Sequence, residues 1–310
     1  MKKKQQKEKG LFIHLAFSLF RQAFQKLLHN DPLRMAGATA FFTSFALPFI
    51  LIILSQLLGI FYDITKVRSQ LYQTLAGAFG DDAMRQVISV LGAFRQLADS
   101  SLITVAGVLF LFLVSTTLLM VIKASINQLW SIKVIHGRGF LRKLGIRLQS
   151  ILIIVGTAIL FFLSILAEGL KAYLDHTITN VSPAFAHQFI GVLNYALSVV
   201  FVTLWFAIIF RLLPDGRAPW KLTFTGAFVT SVLFNLGKYL LRVLLVNSNL
   251  NSLYGASASV VLLLLFVFYA SLILYFGVAF TKVWAEHNGI PIKPRPYATH
   301  YLVQDTSELA

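Results

Sequence analysis

The stretch ASVVLLLLFVFYASLILYFGVAFT, residues 258–281, decides the fold class of this chain. It contains no charged residue, and a helix needs only about 20 predominantly apolar residues to cross a bilayer. Uncharged runs of this kind occur six times along the chain: Met35–Tyr62, Ser100–Ile122, Leu148–Ala167, His176–Phe210, Leu222–Gly237 and Asn247–Thr281. The sequence therefore predicts an all-α, polytopic membrane protein with six transmembrane helices.

The overall composition supports the same class of protein. Apolar residues make up 57% of the chain and charged residues 13%, and the mean hydropathy is +0.75, whereas soluble domains carry about 25% charged residues. The chain has no cysteine, which excludes a disulfide and a thiolate metal site. Its formal net charge is +15, so the position of the basic residues relative to the membrane becomes informative.

Basic residues concentrate on one side of the predicted membrane. If the N-terminus is cytoplasmic, the inner segments 1–34, 123–147, 211–221 and 282–310 hold 20 of the 27 Lys and Arg residues, and the outer segments hold 5. Cytoplasmic segments of membrane proteins carry such an excess of Lys and Arg. The asymmetry predicts that both termini are cytoplasmic, and it explains the positive charge without a nucleic-acid partner.

The chain divides into three predicted parts. Residues 1–34 form a basic segment with apolar residues at helical spacing, which predicts an amphipathic helix lying flat on the inner surface. Residues 35–284 form the transmembrane domain, with spans at about 37–61, 101–122, 149–168, 188–211, 221–246 and 257–282. Residues 285–310 form a polar, proline-interrupted cytoplasmic tail, which we expect to be extended and partly disordered.

Two further features are assigned to membrane surfaces. In the outer segment 63–99, apolar residues at helical spacing predict short helices on the outer face, between spans 1 and 2. Trp130, Trp220 and Trp284 fall at the predicted inner ends of spans. Because an indole can hydrogen-bond at the headgroups, we interpret all three as membrane anchors.

The spans carry short motifs in a fixed order: AGATAFFTSFALP at 36–48, ASINQLW at 124–130, RLLPD at 211–215 with Trp220, GA at 226–227, LGK at 236–238, YGA at 254–256, FVFY at 266–269 and GVAFT at 277–281. Over residues 30–290 these motifs resemble the YihY/BrkB family. The resemblance implies a six-helix protein of the bacterial inner membrane, in a family whose members have been labelled ribonuclease BN, serum-resistance factor or virulence factor. The chain departs from the family at Ala279, where the motif usually reads Gly-Ala-Glu, so no role of that carboxylate carries over.

The residues do not favour the nuclease label. Phosphodiester hydrolysis normally needs clustered carboxylates or histidines that hold one or two metal ions. The inner-face acids are instead scattered over three segments: Glu8, Asp31, Asp215, Glu286, Asp305 and Glu308. The histidines are equally dispersed, and no His-Glu-x-x-His spacing occurs. We therefore predict no catalytic residue, no metal site and no cofactor, and we expect that the protein is not an enzyme.

The fifth predicted span offers a candidate substrate-binding site. Ser231, Asn235, Lys238 and Arg242 occur at i, i+4, i+7 and i+11, which places them along one stripe of a helix. Charged residues within a span are costly and usually face a cavity or a partner. Counting from Trp220 at about 1.5 Å per residue puts Lys238 near the outer interface, where both cations can also snorkel to the headgroups. Headgroup anchoring and a polar cavity both remain open.

The first predicted span offers a second candidate, a kink or cavity at Thr43, Ser44 and Pro48. The proline ring removes the backbone hydrogen bond that the carbonyl of Ser44 would accept, which favours a kink. Small residues on the preceding turns allow either close helix contact or a gap. Packing explains this pattern as well as a pathway does. Gly226, Thr230 and Gly237 on the fifth span have the same ambiguity, and there packing is the favoured interpretation.

These observations predict a transporter or transfer protein for an amphipathic or anionic substrate such as phospholipid. The predicted spans contain no carboxylate of the kind that cation-coupled transporters place near the bilayer midplane, and no phosphate-binding Gly-x-x-x-x-Gly-Lys-Ser/Thr motif is present. The alternative is a noncatalytic membrane scaffold in envelope assembly, which would dock partners through 63–99 or the N-terminal helix. Membrane lipids are the predicted partners, with a homo-oligomer and envelope proteins left open.

Overall fold

The computed structural model describes residues 2–59, 101–135, 183–246 and 258–301, helical pieces between 152 and 167, and the single residues 69, 72, 88 and 171. Six long helices make up most of this part of the chain: α1 (Lys2–Leu28), α2 (Pro32–Gly59), α3 (Ser101–Leu129), α4 (Pro183–Leu212), α5 (Trp220–Val246) and α6 (Ala258–His287). Four short strands in the same part of the chain lie beyond helix ends: β1 (Ile132–Val134), β2 (Gly216–Arg217), β3 (Lys293–Pro294) and β4 (Ala298–His300). The fold is mostly helical, in agreement with an all-α membrane protein.

Two stretches of the described helices are long and apolar enough to cross a membrane by length and composition, Gly191–Leu212 and Leu263–His287. The first lies within α4 and the second within α6. The total of six spans stays a prediction. All but three residues of the outer segment 63–99, where short helices are predicted, and several residues of the third predicted span lie outside the described residues.

The last helix, α6, occupies the centre of the bundle. It packs against α1, α2, α3 and α5, which explains why Tyr275, Val278, Ala279 and Thr281 are all fully buried. A hydrophobic cluster joins α6 to α3 and α4 through Leu129, Trp130, Phe206 and Phe210 among others. Ala279 therefore lies in the core, at the position where the family motif usually has a glutamate.

Small residues allow α5 and α6 to approach closely. The side chain of Thr281 on α6 occupies the space beside Gly226 of α5, and the side chain of Thr230 on α5 occupies the space beside Gly277 of α6. Each threonine hydroxyl donates to the carbonyl four residues earlier, at 2.6 Å for Thr230 and 2.7 Å for Thr281. Small residues at membrane-helix contacts commonly serve such packing, and the packing interpretation of Gly226 and Thr230 is confirmed.

The polar segment after α6 folds back onto the bundle. β4 pairs antiparallel with β1, which directly follows α3, and β3 pairs antiparallel with β2 in the α4–α5 connection. The predicted partial disorder of this tail is therefore wrong as far as Tyr301, because backbone hydrogen bonds to the segments that follow α3 and α4 hold it. α6 also extends to His287, beyond the predicted end of the last span.

The N-terminal segment is helical, and one row of α1 is packed against α6. Leu19, Ala23 and Leu27 are buried, the first two in a cluster with Phe280 and Val283 of α6. Phe20 also contacts α6, with its ring centroid 5.3 Å from that of Phe280, while Phe24 is exposed. Docking of α1 on the bundle thus accompanies any contact with the membrane surface, and its flat orientation there stays a prediction.

Candidate functional site

Two members of the predicted α5 stripe lie between α5 and α4. Ser231 is fully buried and its hydroxyl donates to the carbonyl of Val199, at 2.9 Å. Asn235 is also buried; its side-chain oxygen accepts from the Ser198 hydroxyl at 2.9 Å, and its amide donates to the Ser231 carbonyl at 3.0 Å. Both side chains thus satisfy their hydrogen bonds within the α4–α5 contact, which is the normal requirement for buried polar groups.

The cations of the same stripe differ in what the structure describes. Lys238 is half-buried, one turn beyond Asn235, and no carboxylate within the described residues forms an ion pair with it. Arg242 belongs to α5, but its side chain lies outside the described part. Gly237 sits against the hydroxyl end of Tyr269 on α6, so this part of α5 is in close contact with α6 as well.

The hydroxyls of the predicted α2 site bond to their own helix. Thr43 donates to the carbonyl of Thr39 at 2.7 Å, and Ser44 donates to the carbonyl of Ala40 at 3.0 Å. Pro48 lies inside the continuous range of α2, and its side chain is outside the described part. Within the described contacts, these residues do not join the α5 stripe, and their role as a kink or cavity stays a prediction.

The strongest polar cluster lies at the other end of α5 and centres on Asp215. This end of the bundle, where α1, α3, α4 and α6 terminate and α2 and α5 begin, is called the basic end below. Asp215 follows the Pro214 turn after α4 and its side chain is 3% exposed. Lys123 of α3 forms an ion pair with Asp215, with 2.8 Å between Lys123 Nζ and Asp215 Oδ1, and the Lys123 side chain is 10% exposed. The ion pair therefore joins α3 to the α4–α5 connection in a nearly dry position.

Asn127 completes the α3 side of this cluster. It lies four residues after Lys123, so both side chains project from one face of the helix. Its amide donates to Asp215 Oδ2 at 2.8 Å, while its side-chain oxygen accepts from the Asp215 backbone N–H at 2.8 Å. This reciprocal pair fixes both the carboxylate and the backbone of Asp215 relative to α3.

The C-terminal segment closes the cluster from the remaining side. The Tyr297 hydroxyl donates to Asp215 Oδ1 at 3.0 Å, and the backbone N–H of Arg295 donates to the Asp215 carbonyl at 2.8 Å. The Arg295 guanidinium also donates to the carbonyl of Leu212 at the end of α4, at 3.3 Å. We call Lys123, Asn127, Asp215, Arg295 and Tyr297 the Asp215 clasp, because they join three separate segments of the chain.

The electrostatics of the clasp favour an ionised aspartate. Burial by itself would raise the pKa of Asp215, but the ion pair with Lys123 and the hydrogen bonds from Asn127 and Tyr297 outweigh it and hold the pKa below its ordinary value. Burial, together with the neighbouring Asp215 carboxylate, raises the pKa of Tyr297, which keeps its hydroxyl protonated and able to donate. The carboxylate is fully engaged, so the clasp is suited to holding segments together rather than to acid–base chemistry.

Two aromatic residues extend the polar contacts into the bundle. Trp130 is fully buried, and its indole N–H donates to the carbonyl of Val278 on α6 at 3.1 Å. Its predicted role as a headgroup anchor is therefore wrong, because a helix carbonyl in the core takes the hydrogen bond. The Tyr275 hydroxyl bonds with Thr39 of α2 and Ser125 of α3, so it connects the three central helices.

Sequence reasoning missed the clasp because it counted Asp215 among scattered acids and placed Lys123 in a connection. α3 continues to Leu129, which brings Lys123 into the folded bundle. The available signal was the spacing of Lys123 and Asn127 at i and i+4, together with the RLLPD and ASINQLW motifs that carry the resemblance. Within the described residues no group of three or more acidic or histidine side chains could hold a metal ion.

Comparison with known proteins indicates a membrane protein. The family described as "Virulence factor BrkB" matches residues 23–299, nearly the whole chain. The chain belongs to this family, which confirms the resemblance drawn from its motifs.

Relatives of this chain are named UPF0761 membrane protein and come from several bacteria. The relative from Saccharophagus degradans is 23% identical over 281 residues, which cover 89% of this chain and 62% of that protein. The relative from Acinetobacter baylyi is 26% identical over 269 residues, with coverages of 84% and 60%, and that from Chromobacterium violaceum is 27% identical over 291 residues, with coverages of 89% and 64%. The chain thus spans less than two thirds of these relatives. No solved structure matches it.

Proposed function

We propose that this chain is an inner-membrane transporter or transfer protein for an amphipathic or anionic substrate, with phospholipid as the leading candidate and without ATP hydrolysis of its own. The observation that carries the proposal is Lys238. It is a half-buried cation on an apolar helix, without an ion-pair partner among the carboxylates that the structure describes.

The physical argument rests on the cost of an uncompensated charge. Placing an ammonium group within a membrane helix is expensive unless it faces water, a polar cavity or an anionic partner. A lipid phosphate satisfies this need, because hydrogen bonds between an ammonium and a phosphate oxygen are charge-assisted and about twice as strong as neutral ones. Asn235, one turn before Lys238 on the same helix, is fixed by hydrogen bonds with Ser198 and Ser231.

Transfer of a fluorescent phospholipid between the leaflets of reconstituted vesicles tests the proposal. The variants are Lys238→Ala, Lys238→Ala combined with Arg242→Ala, and the charge-preserving Lys238→Arg. We expect the alanine variants to reduce the initial rate about tenfold, which is the loss of one charge-assisted contact, and the arginine variant to retain it. Lys133→Ala, which removes an exposed cation at the basic end, is the matched control. An unchanged rate and unchanged lipid binding in the double variant would sink the proposal.

Deletion of 63–99 separates transfer from the scaffold alternative. If the protein transfers lipid through its helices, the purified deletion variant continues to bind substrate. A scaffold would lose the capture of envelope partners while substrate binding, if any, survived. Retained partner capture together with lost lipid transfer would favour transport through a path that includes the outer segment.

A further inference from the structure

The connection between α4 and α5 carries unbalanced positive charge at its surface. Residues 211–221, from the last turn of α4 to the start of α5, contain three cations, Arg211, Arg217 and Lys221, and one acid, Asp215. That acid is buried and already paired with Lys123 of another helix. Arg217 and Lys221 are exposed, so the surface of this connection has no acid of its own to neutralise them.

A like-charge pair across the β2–β3 ladder adds to this surface. Arg217 of β2 lies directly opposite Lys293 of β3, and both side chains are exposed. Residues directly opposite on antiparallel strands project to the same face, with Cβ atoms about 5 Å apart, and like charges there are destabilising. An anion bound between the two side chains would remove this repulsion. The pair is therefore a second, independent indication of an anionic ligand.

An exposed aromatic row begins at the same connection. Trp220, Phe224 and Phe228 occur at i, i+4 and i+8 on α5, with exposures of 51%, 40% and 53%. The rings of Trp220 and Phe224 stack at 5.5 Å, and the Arg211 guanidinium lies 5.3 Å from the Trp220 ring centre while it donates to the carbonyl of Ala218. The row leads from the cations along the apolar part of the helix.

We propose that this surface binds an anionic phospholipid, with its phosphate between Arg217, Lys221 and Lys293 and its acyl chain along Trp220 and the two phenylalanines. Charge complementarity selects the headgroup, since basic residues beside a membrane helix attract anionic lipids. The aromatic row selects a lipid over a free anion, because an exposed apolar stripe gains nothing from inorganic phosphate.

The site is separate from the one in the proposed function. Lys238 lies 18 residues after Trp220, or about 27 Å along the helix. Binding at the basic end does not require that the protein transfers lipid. A test that reads binding alone therefore distinguishes failure of this inference from failure of the proposed function.

Native mass spectrometry of the full chain in mild detergent provides that test, with phosphatidylglycerol, phosphatidylcholine or inorganic phosphate added separately. The site variant is Arg217→Gln with Lys293→Gln. The control variant is Arg21→Gln with Lys133→Gln, which removes two other exposed cations and the same charge. A third variant, Phe224→Ser with Phe228→Ser, alters the apolar row alone. Circular dichroism confirms that each variant is folded.

We expect the wild type and the charge control to retain phosphatidylglycerol in preference to phosphatidylcholine, and the site variant to bind phosphatidylglycerol about tenfold more weakly. We expect the phenylalanine variant to lose lipid as well. Three results would overturn the inference. The first is equal retention of the two lipids by the wild type, and the second is an equal loss of phosphatidylglycerol in the site and control variants. The third is that no lipid binds, while inorganic phosphate binds equally to the wild type and to the phenylalanine variant.

Discussion

Replacement of Asp215 by asparagine is expected to destabilise the basic end of the bundle. Asn has the same shape but one acceptor oxygen in place of two. In the wild type, Oδ1 accepts from Lys123 and Tyr297, and Oδ2 accepts from the Asn127 amide. The amide of the new side chain must therefore face at least one existing donor. Asn127 cannot simply rotate its own amide to compensate, because its oxygen already accepts from the residue 215 backbone N–H.

The magnitude follows from the burial of the ion pair. The side chains of Asp215 and Lys123 are 3% and 10% exposed, so the variant leaves an ammonium group without its counter-charge in a nearly dry site. Removing one partner of a buried pair typically costs about 3–5 kcal/mol. We therefore expect the apparent unfolding temperature to fall on the order of 10 °C. Lys123→Met in the same chain should recover a substantial part of this loss, because it removes the unpaired charge.

Thermal unfolding in detergent, followed by circular dichroism, measures the effect. Asp31→Asn is the matched control, since Asp31 forms a 3.8 Å pair with Arg34 in which both side chains are largely exposed. Asn also tolerates the positive φ of 53° at that position. The control should change stability by less than about 0.5 kcal/mol. Equal stabilities of the Asp215 variant and the wild type, or no recovery in the double variant, would show that the buried ion pair does not stabilise this end of the bundle.

Three further predictions concern pH, helix packing and the tail. Because the pKa of Asp215 is lowered in the folded protein, the stabilising contribution of its carboxylate is complete above the ordinary carboxyl pKa. This contribution is lost as the pH falls through the lowered pKa. The difference in unfolding temperature between wild type and Asp215→Asn should therefore persist at pH 6 and close only below about pH 4. Gly226→Ala should destabilise the α5–α6 contact by about 1–3 kcal/mol, whereas Gly37→Ala, with no atom near the added methyl, should be neutral or stabilising. Chemical denaturation compares the stabilities of the two variants, and equal effects would contradict the close packing of α5 against α6. The chain has no cysteine, so a disulfide can be introduced by Lys133→Cys with Thr299→Cys, at directly opposite residues of β1 and β4. We expect this disulfide to form because the Cα atoms of such a pair are about 5.5 Å apart. Non-reducing peptide mapping detects the disulfide, and its absence would contradict the pairing of the tail with β1.

The helical membrane fold was predictable because apolar runs and basic flanks are properties of single segments. Gly226 and Thr230 were also recognised as packing residues, since small residues at helical spacing have few other uses inside a membrane. These inferences need no knowledge of which helices are neighbours.

The clasp and the folded tail depend on contacts between distant segments. Lys123 and Asp215 are 92 residues apart in sequence, so no local pattern reveals the pair. Tyr297 lies in a proline-interrupted stretch typical of disorder, but two strand pairings stabilise it. Trp130 was misassigned for the same reason, because a tryptophan at the end of a span is equally consistent with the headgroups and with a core carbonyl on a neighbouring helix.

The most direct test of the central claim asks where a phospholipid contacts α5. A photoactivatable anionic phospholipid is incorporated into vesicles with the wild type and with the Lys238→Ala/Arg242→Ala variant, and crosslinked peptides are identified by mass spectrometry. If the α5 stripe binds lipid, the segment around Asn235 and Lys238 is labelled in the wild type and not in the variant, while labelling at the basic end persists. Labelling of this segment that is equal in both proteins, or absent from both, would contradict lipid handling by the α5 stripe.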